Sequence, residues 1–359
     1  AAAADWYLLS VKTGGITIPF VLSVPRREAQ EGEALPEGLI VNGLEEITIG
    51  VRRTDTGFEV PFRWLGATLV ATKNTDQSIS GTWSVTQEDN STTSYDVQGH
   101  SIPDALPERR YPVAPALPEA RPVATPLPTR YKIRVGDEIG VLRYRTSTTH
   151  AVDVALYTGG KSYGALAGSL YGRLLQASYF DGRRALLLQA TLSPDGTTIT
   201  GFLSENGAIR NISGTVQNER ITIPFQRELT ETERHSIKVP SSGPAIVWHT
   251  STFDAAAQRM ATGLSRMLQE LPSAPPLVIY FHNEQAGYSK RVDAWLTYHG
   301  LNANVLRAEQ SKLPLPAIAF VEDNGHIVAA YTGLHEPGTG GSYRKQLTNW
   351  AAHATELMK

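Results

Sequence analysis

The sequence predicts two folded parts: an all-β N-terminal part, barrel or sandwich, over residues 1–235, and an α/β part over residues 236–359. Three observations predict this division. Short apolar stretches punctuated by Gly, Asn and Asp turns fill the first part, and no helical period appears before residue 250. From there helix-spaced apolar residues alternate with continuous apolar runs. At 359 residues the chain also exceeds what one hydrophobic core usually serves.

In the first part, Trp6–Leu9, Ile16–Leu22, Leu39–Val41, Ile47–Ile49 and Phe58–Phe62 read as strands, and Asn42-Gly43 as a hairpin turn. Residues 102–129 carry prolines at 103, 107, 112, 115, 118, 122, 126 and 128, a density that favours an extended connection and excludes a central strand. A second strand-rich block runs from Gly136 to Phe225, with turns at Gly159-Gly160, Asp181-Gly182, Pro194-Asp195-Gly196 and Asn206-Gly207. Ile79-Ser80-Gly81-Thr82 recurs as Ile212-Ser213-Gly214-Thr215, which hints at a duplication. A single barrel crossed by the Pro-rich segment is expected over two smaller ones.

In the second part, Phe253, Ala257, Met260, Leu264, Met267, Leu268 and Leu271 share one helix face over 253–271, after the Ser251-Thr252 cap and before Pro272. The run Leu277–Phe281, a helix bearing Val292, Trp295, Leu296 and His299, and then Asn304–Leu306 form a βαβ unit. Strands Ala317–Val321 and Ile327–Tyr331, joined at Glu322-Asp323-Asn324-Gly325, precede a helix carrying Tyr343, Leu347, Trp350 and Ala354.

A formal net charge of −2 with 19% charged residues gives no electrostatic footprint for nucleic acid. The basic residues Arg109, Arg110, Arg121, Arg130, Lys132 and Arg134 are interrupted by Pro and Glu and read as a solvated linker. No apolar run approaches the roughly 20 residues that span a bilayer, so no membrane span is expected. Ala1-Ala2-Ala3-Ala4-Asp5 reads as a scar left after export or simply as a start, and periplasm or cell envelope is the expected location. The absence of cysteine excludes disulfides, thiolate metal sites and a Cys nucleophile.

The histidines are scattered, none at a metal-ligand spacing, so neither metal nor other cofactor is expected. His282 and Ser289 lack the Gly-x-Ser-x-Gly setting of a hydrolase. Gly338–Ser342 lacks the lysine of a phosphate loop and reads as a flexible cap. Glu45-Glu46 and Asp137-Glu138 read as solvated turns. Trp6, Trp64, Trp83, Tyr163 and Tyr179 line a cavity or fill a core, with core filling favoured.

The segment Phe281-His282-Asn283-Glu284-Gln285-Ala286-Gly287-Tyr288-Ser289-Lys290 resembles the Phe-x-x-x-Trp-Cys-Gly-Pro-Cys-Lys motif of thioredoxins. Pro316–Val328 and Gly333 resemble the cis-proline strand, acidic turn and Gly-x-Ile-Val hairpin of TlpA-type thioredoxin-like disulfide reductases. Asn42–Glu45, Gly81–Trp83, Tyr157–Gly168 and Leu175–Gly182 look like the β-rich N-terminal domain attached to some of them.

The resemblance implies a thioredoxin-like fold for residues 236–359 and places Ala286 and Ser289 where the family has its redox cysteines. Neither side chain performs thiol–disulfide exchange. The site is redox-silent as written, through replacement of a Cys-Gly-Tyr-Cys parent or natural degeneration. Only 27 positions separate Ser289 from Pro316, where the family fits a further helix and strand. By the same resemblance Gly287, Tyr288, Leu315 and Pro316 would form a surface for a protein or an extended peptide near Pro316. The expected function is therefore binding. The alternatives are an assembly subunit of an envelope complex, and a small-molecule carrier using the barrel.

Overall fold

The computed structural model describes residues 3–87, 89–103, 129–146, 151–158, 161–218, 226–240, 243–251, 254–282, 288–308, 312–335 and 341–359. The Pro-rich connection from 104 to 128 lies outside them, as do Phe253 and the loop 336–340.

The first unit comprises β1 (Ala4–Thr13), β2 (Ile16–Pro25), β3 (Glu37–Asn42), β4 (Glu45–Gly50), β5 (Arg52–Thr54), β6 (Gly57–Phe62), β7 (Ala67–Lys73), β8 (Ser78–Thr86) and β9 (Thr92–Ile102). They form one nine-stranded sheet in the order β4-β3-β2-β1-β9-β8-β7-β6-β5, and β4 curls back toward β6 so that the sheet nearly closes. A 3-10 turn, Arg63–Leu65, follows β6.

The second unit comprises β10 (Arg130–Val135), β11 (Glu138–Thr146), β12 (Ala151–Thr158), β13 (Lys161–Tyr171), β14 (Leu174–Phe180), β15 (Ala185–Leu192), β16 (Thr198–Glu205) and β17 (Ala208–Val216), an up-and-down closed barrel. Its interior is packed with Leu142, Val154, Leu166, Leu188 and the rings of Tyr131, Tyr144, Tyr163 and Tyr179. Strand pairing thus yields two β units, where the turn spacing suggested one barrel.

The two units are joined by a plug. Phe180, at the end of β14, leaves the barrel's core and enters that of the first sheet. There it stacks on Phe20 at 4.0 Å and meets Phe62 and Trp83 edge-on. The polar groups that flank it find partners across the joint, as burial favours. Asn42 donates to the Phe180 carbonyl at 2.9 Å and accepts from its N–H at 3.1 Å. The Trp83 indole donates to the Gly182 carbonyl at 2.8 Å. Arg183 donates to the carbonyls of Leu65 and Thr86. Gly182 has φ +94°, and a Cβ there would lie 2.6 Å from the Phe62 ring.

The last unit holds β18 (Arg227–Glu228), α1 (Glu231–Arg234), β19 (Ala245–Thr250), α2 (Ala255–Glu270), β20 (Leu277–Phe281), α3 (Tyr288–His299), β21 (Asn304–Arg307), β22 (Ala317–Val321), β23 (Ile327–Thr332) and α4 (Gly341–Leu357). Its sheet runs β18-β23-β22-β19-β20-β21, with β19 parallel to β20 and antiparallel to β22. Every residue of β19, β20 and β22 is buried, as expected of central strands covered on both faces.

The expected combination of an all-β N-terminal domain with a C-terminal α/β thioredoxin-like domain is corrected here. Among the described residues the protein is predominantly β, 55% strand and 15% helix, with a nearly closed sheet, an eight-stranded barrel and four helices. The physical reason lies in how the last sheet is covered. Ile246, Trp248, Ile279, Phe281, Ile318 and Phe320 share a core with residues of α2, α3 and α4, so all the long helices lie on one face. The other face is covered by Leu229, Ile237, Ala308 and Leu313, which belong to loops and the termini of short elements. An α/β sandwich with helices on both faces therefore does not form.

One buried ion pair ties all three units together. Glu45, the first residue of β4, pairs with Arg259 of α2, both nearly inaccessible to solvent. The Arg259 guanidinium also lies over the Tyr179 ring of the barrel at 5.2 Å, and Arg184 approaches that ring at the same distance. Arg184 in turn donates to Asp181 at 3.0 Å. The sequence reading of Glu45 as a solvated turn residue is thus corrected.

Candidate functional site

Of the site expected from the sequence, Leu315 and Pro316 lie at one end of the last sheet. Because β19 and β20 are parallel and β22 is antiparallel to β19, the ends of the first two strands lie beside the start of β22. His249 is in register with Ala317, and the N–H of His282 donates to the Thr250 carbonyl at 2.8 Å. The Leu315–Pro316 peptide just before β22 is cis. The Thr332 hydroxyl, from β23, donates to the carbonyls of Pro314 and Pro316 at 2.9 and 3.0 Å, fixing the turn.

Of the residues singled out in the sequence, Pro316 is buried and Leu315 half-buried at this end. Leu315 packs against the helix-poor face of the sheet. Tyr288 and Ser289 open α3, but their side chains lie outside the described residues. Ala286 and Gly287 lie wholly outside them.

What local sequence reasoning missed is a histidine pair. His249 Nδ1 and His282 Nε2 are 2.9 Å apart, one donating to the other, with both residues buried. They are 33 positions apart, so no short spacing could signal the contact. The His249 ring stacks on Tyr280 at 4.9 Å. Burial first, then the neighbouring His282 and Lys238, lower the His249 pKa to about 3, so the imidazole is neutral at physiological pH.

Strand alternation puts His249 on the helix-poor face with Val247, and Thr250 on the opposite one. His249 Nε2 and Thr250 Oγ1 are buried without a hydrogen-bond partner among the described residues. The backbone N–H and C=O of Leu315 likewise enter no hydrogen bond among the described residues, because strand pairing begins only at Ala317. His335, just after β23, stands edge-on to Tyr157 of the barrel at 6.0 Å, which brings the barrel alongside the unit that carries this end. Burial, then Arg143, lowers the His335 pKa to about 4.

With two buried imidazoles, a lysine nearby and no thiol, the site offers hydrogen bonding and no thiol–disulfide exchange. Among the described residues no three or more His, Asp or Glu side chains gather as a metal site. No described helix is long and apolar enough to cross a membrane.

No family model matches the chain, and no curated protein matches it. Solved structures give partial likenesses. A secreted Mycobacterium tuberculosis disulfide oxidoreductase homologous to E. coli DsbE is 18% identical, over 31% of this chain and 81% of that one, with TM-score 0.24. A DUF3598-family protein of unknown function from Nostoc punctiforme is 9% identical over 60% and 96% of the two chains, TM-score 0.19. The Myxococcus xanthus hemagglutinin, solved with a mannopentaose, is 11% identical over 58% and 99%, TM-score 0.14. At these scores none carries an argument about fold or activity.

Proposed function

We propose that the protein is a non-catalytic binding protein that takes an extended polypeptide at the end of its C-terminal sheet, beside Leu315. The observation that carries this reading is the unpaired backbone of Leu315, half-buried at the start of β22. A strand-end N–H and C=O outside the sheet ladder are open to pairing with a further extended chain. An extended peptide supplies the missing partners in the manner of an added strand. The buried, unpartnered Nε2 of His249 is a second polar group in the same place. The lack of any cysteine removes covalent capture, so the contact is reversible hydrogen bonding and packing.

Photo-crosslinking tests the reading. Benzoylphenylalanine in place of Leu315 should label an unstructured peptide pool far more than the same group in place of the exposed barrel residue Ile139. Equal labelling at the two positions overturns it.

A further inference from the structure

A second feature lies away from the sheet end, where the nine-stranded sheet stops short of closing. A cleft of about 650 Å³ opens there between β4, the turn after β6, and the helices α2 and α3. Small-molecule sites typically span about 300–1,000 Å³. The barrel, by contrast, is filled by its own side chains.

The cleft is mostly apolar. Leu35, Ile49, Pro61 and Ala294 supply aliphatic surface. Trp64 and Tyr298 form an aromatic wall, stacked at 3.7 Å and 11°. The Tyr298 hydroxyl donates to the Thr48 carbonyl, so that carbonyl points away from β3. Backbone groups two residues along a strand point the same way. The N–H and C=O of Gly50, at the cleft, therefore also face outward from the sheet.

The charges are what define a ligand class. Glu37, Asp293 and Arg63 stand exposed at the cleft, and none has an ion-pair or hydrogen-bond partner for its side chain among the described residues. Two carboxylates against one guanidinium leave an excess of one negative charge. A cleft with low-dielectric walls and an excess of one sign concentrates the opposite charge.

We propose that this cleft binds a small organic cation, an ammonium group on a compact apolar body. The body rests on the Leu35–Ile49–Ala294 surface and the ammonium on Glu37 and Asp293. This site is separate from the sheet end and stands or falls independently of it.

Calorimetric titration of the full chain with phenethylamine, phenylethanol and phenylacetate tests the proposal, since the probes share a body and differ in charge. Phenethylamine should bind saturably, phenylethanol more weakly and phenylacetate weakest. Glu37→Gln with Asp293→Asn, both at exposed positions, should weaken phenethylamine about tenfold and leave phenylethanol unchanged. Ala294→Phe, which fills the cleft, should remove both. Failure of phenethylamine to saturate up to about 10 mM overturns the proposal. So does binding that the charge removal leaves unchanged, or phenylacetate binding as tightly as the amine.

Discussion

Lowering the pH from 7 to 5 should weaken the C-terminal unit through its buried histidines, His249, His299 and His335. Burial holds His249 and His299 at pKa values of about 3 and His335 at about 4 in the folded state, and lowers His353 in the same direction. Their unfolded value is about 6.5, so between those limits the unfolded chain binds more protons and stability falls as pH falls. The contribution is fully present above pH 6.5 and drains away toward pH 3. At pH 5 His249, His299 and His335 each cost about 2 kcal/mol, about 6 together, against a total of order 5–15. Carboxylates with lowered pKa values, such as Glu233, held at about 2 first by Arg227, change stability only below about pH 4.5. The window from 6.5 to 5 therefore belongs to histidine. Urea unfolding followed through the C-terminal unit should give a mean slope of about 3 kcal/mol per pH unit in that window. His299→Gln, which keeps a partner for Thr262 in place of the present 2.8 Å bond, should lower the slope by about a third. A flat profile, or an unchanged slope in the variant, would refute the reasoning.

Other perturbations probe the joints between units. Gly182→Ala drives a Cβ into the Phe62 ring and imposes an unfavourable φ, so thermal unfolding should show a loss of about 2–4 kcal/mol; a change under about 0.5 would remove the plug from the account. Arg259→Met removes the guanidinium from the buried Glu45 carboxylate and should cost about 3–5 kcal/mol, largely recovered by adding Glu45→Leu. A double-mutant cycle that finds the two effects additive would contradict a coupled pair. Restoring Ala286→Cys and Ser289→Cys should create whatever disulfide-reducing activity this scaffold can support, while the unaltered chain shows none in an insulin-reduction assay. Activity in the unaltered chain would sink the claim that the site is silent.

Local pattern carried much of this structure and stopped at long-range contacts. The apolar runs Leu277–Phe281 and Ala317–Val321 read as buried strands and are β20 and β22. Asn42-Gly43 read as a hairpin turn and joins β3 to β4, with Gly43 at φ +62°. Trp83, Tyr163 and Tyr179, read as core filling in preference to a cavity lining, are fully buried. The division into two β units was not legible, because a turn every ten residues is common to a closed barrel and a curled sheet. Glu45, read as solvated, is buried because Arg259 comes from a helix more than 200 positions away. The candidate site divides in the same way: Leu315 and Pro316 could be picked out by motif, whereas the His249–His282 contact depends on the parallel pairing of β19 with β20. The helix-poor second face of the sheet was foreshadowed only by the short interval between Ser289 and Pro316.

The central claim is that Leu315 binds an extended chain through its backbone. Its most direct test compares a bound peptide with copies N-methylated at successive residues, which keep every side chain and lose one N–H each. Backbone pairing predicts affinity losses of about tenfold or more at alternate positions and little change between them. Uniform affinity across the methylated series would contradict the account.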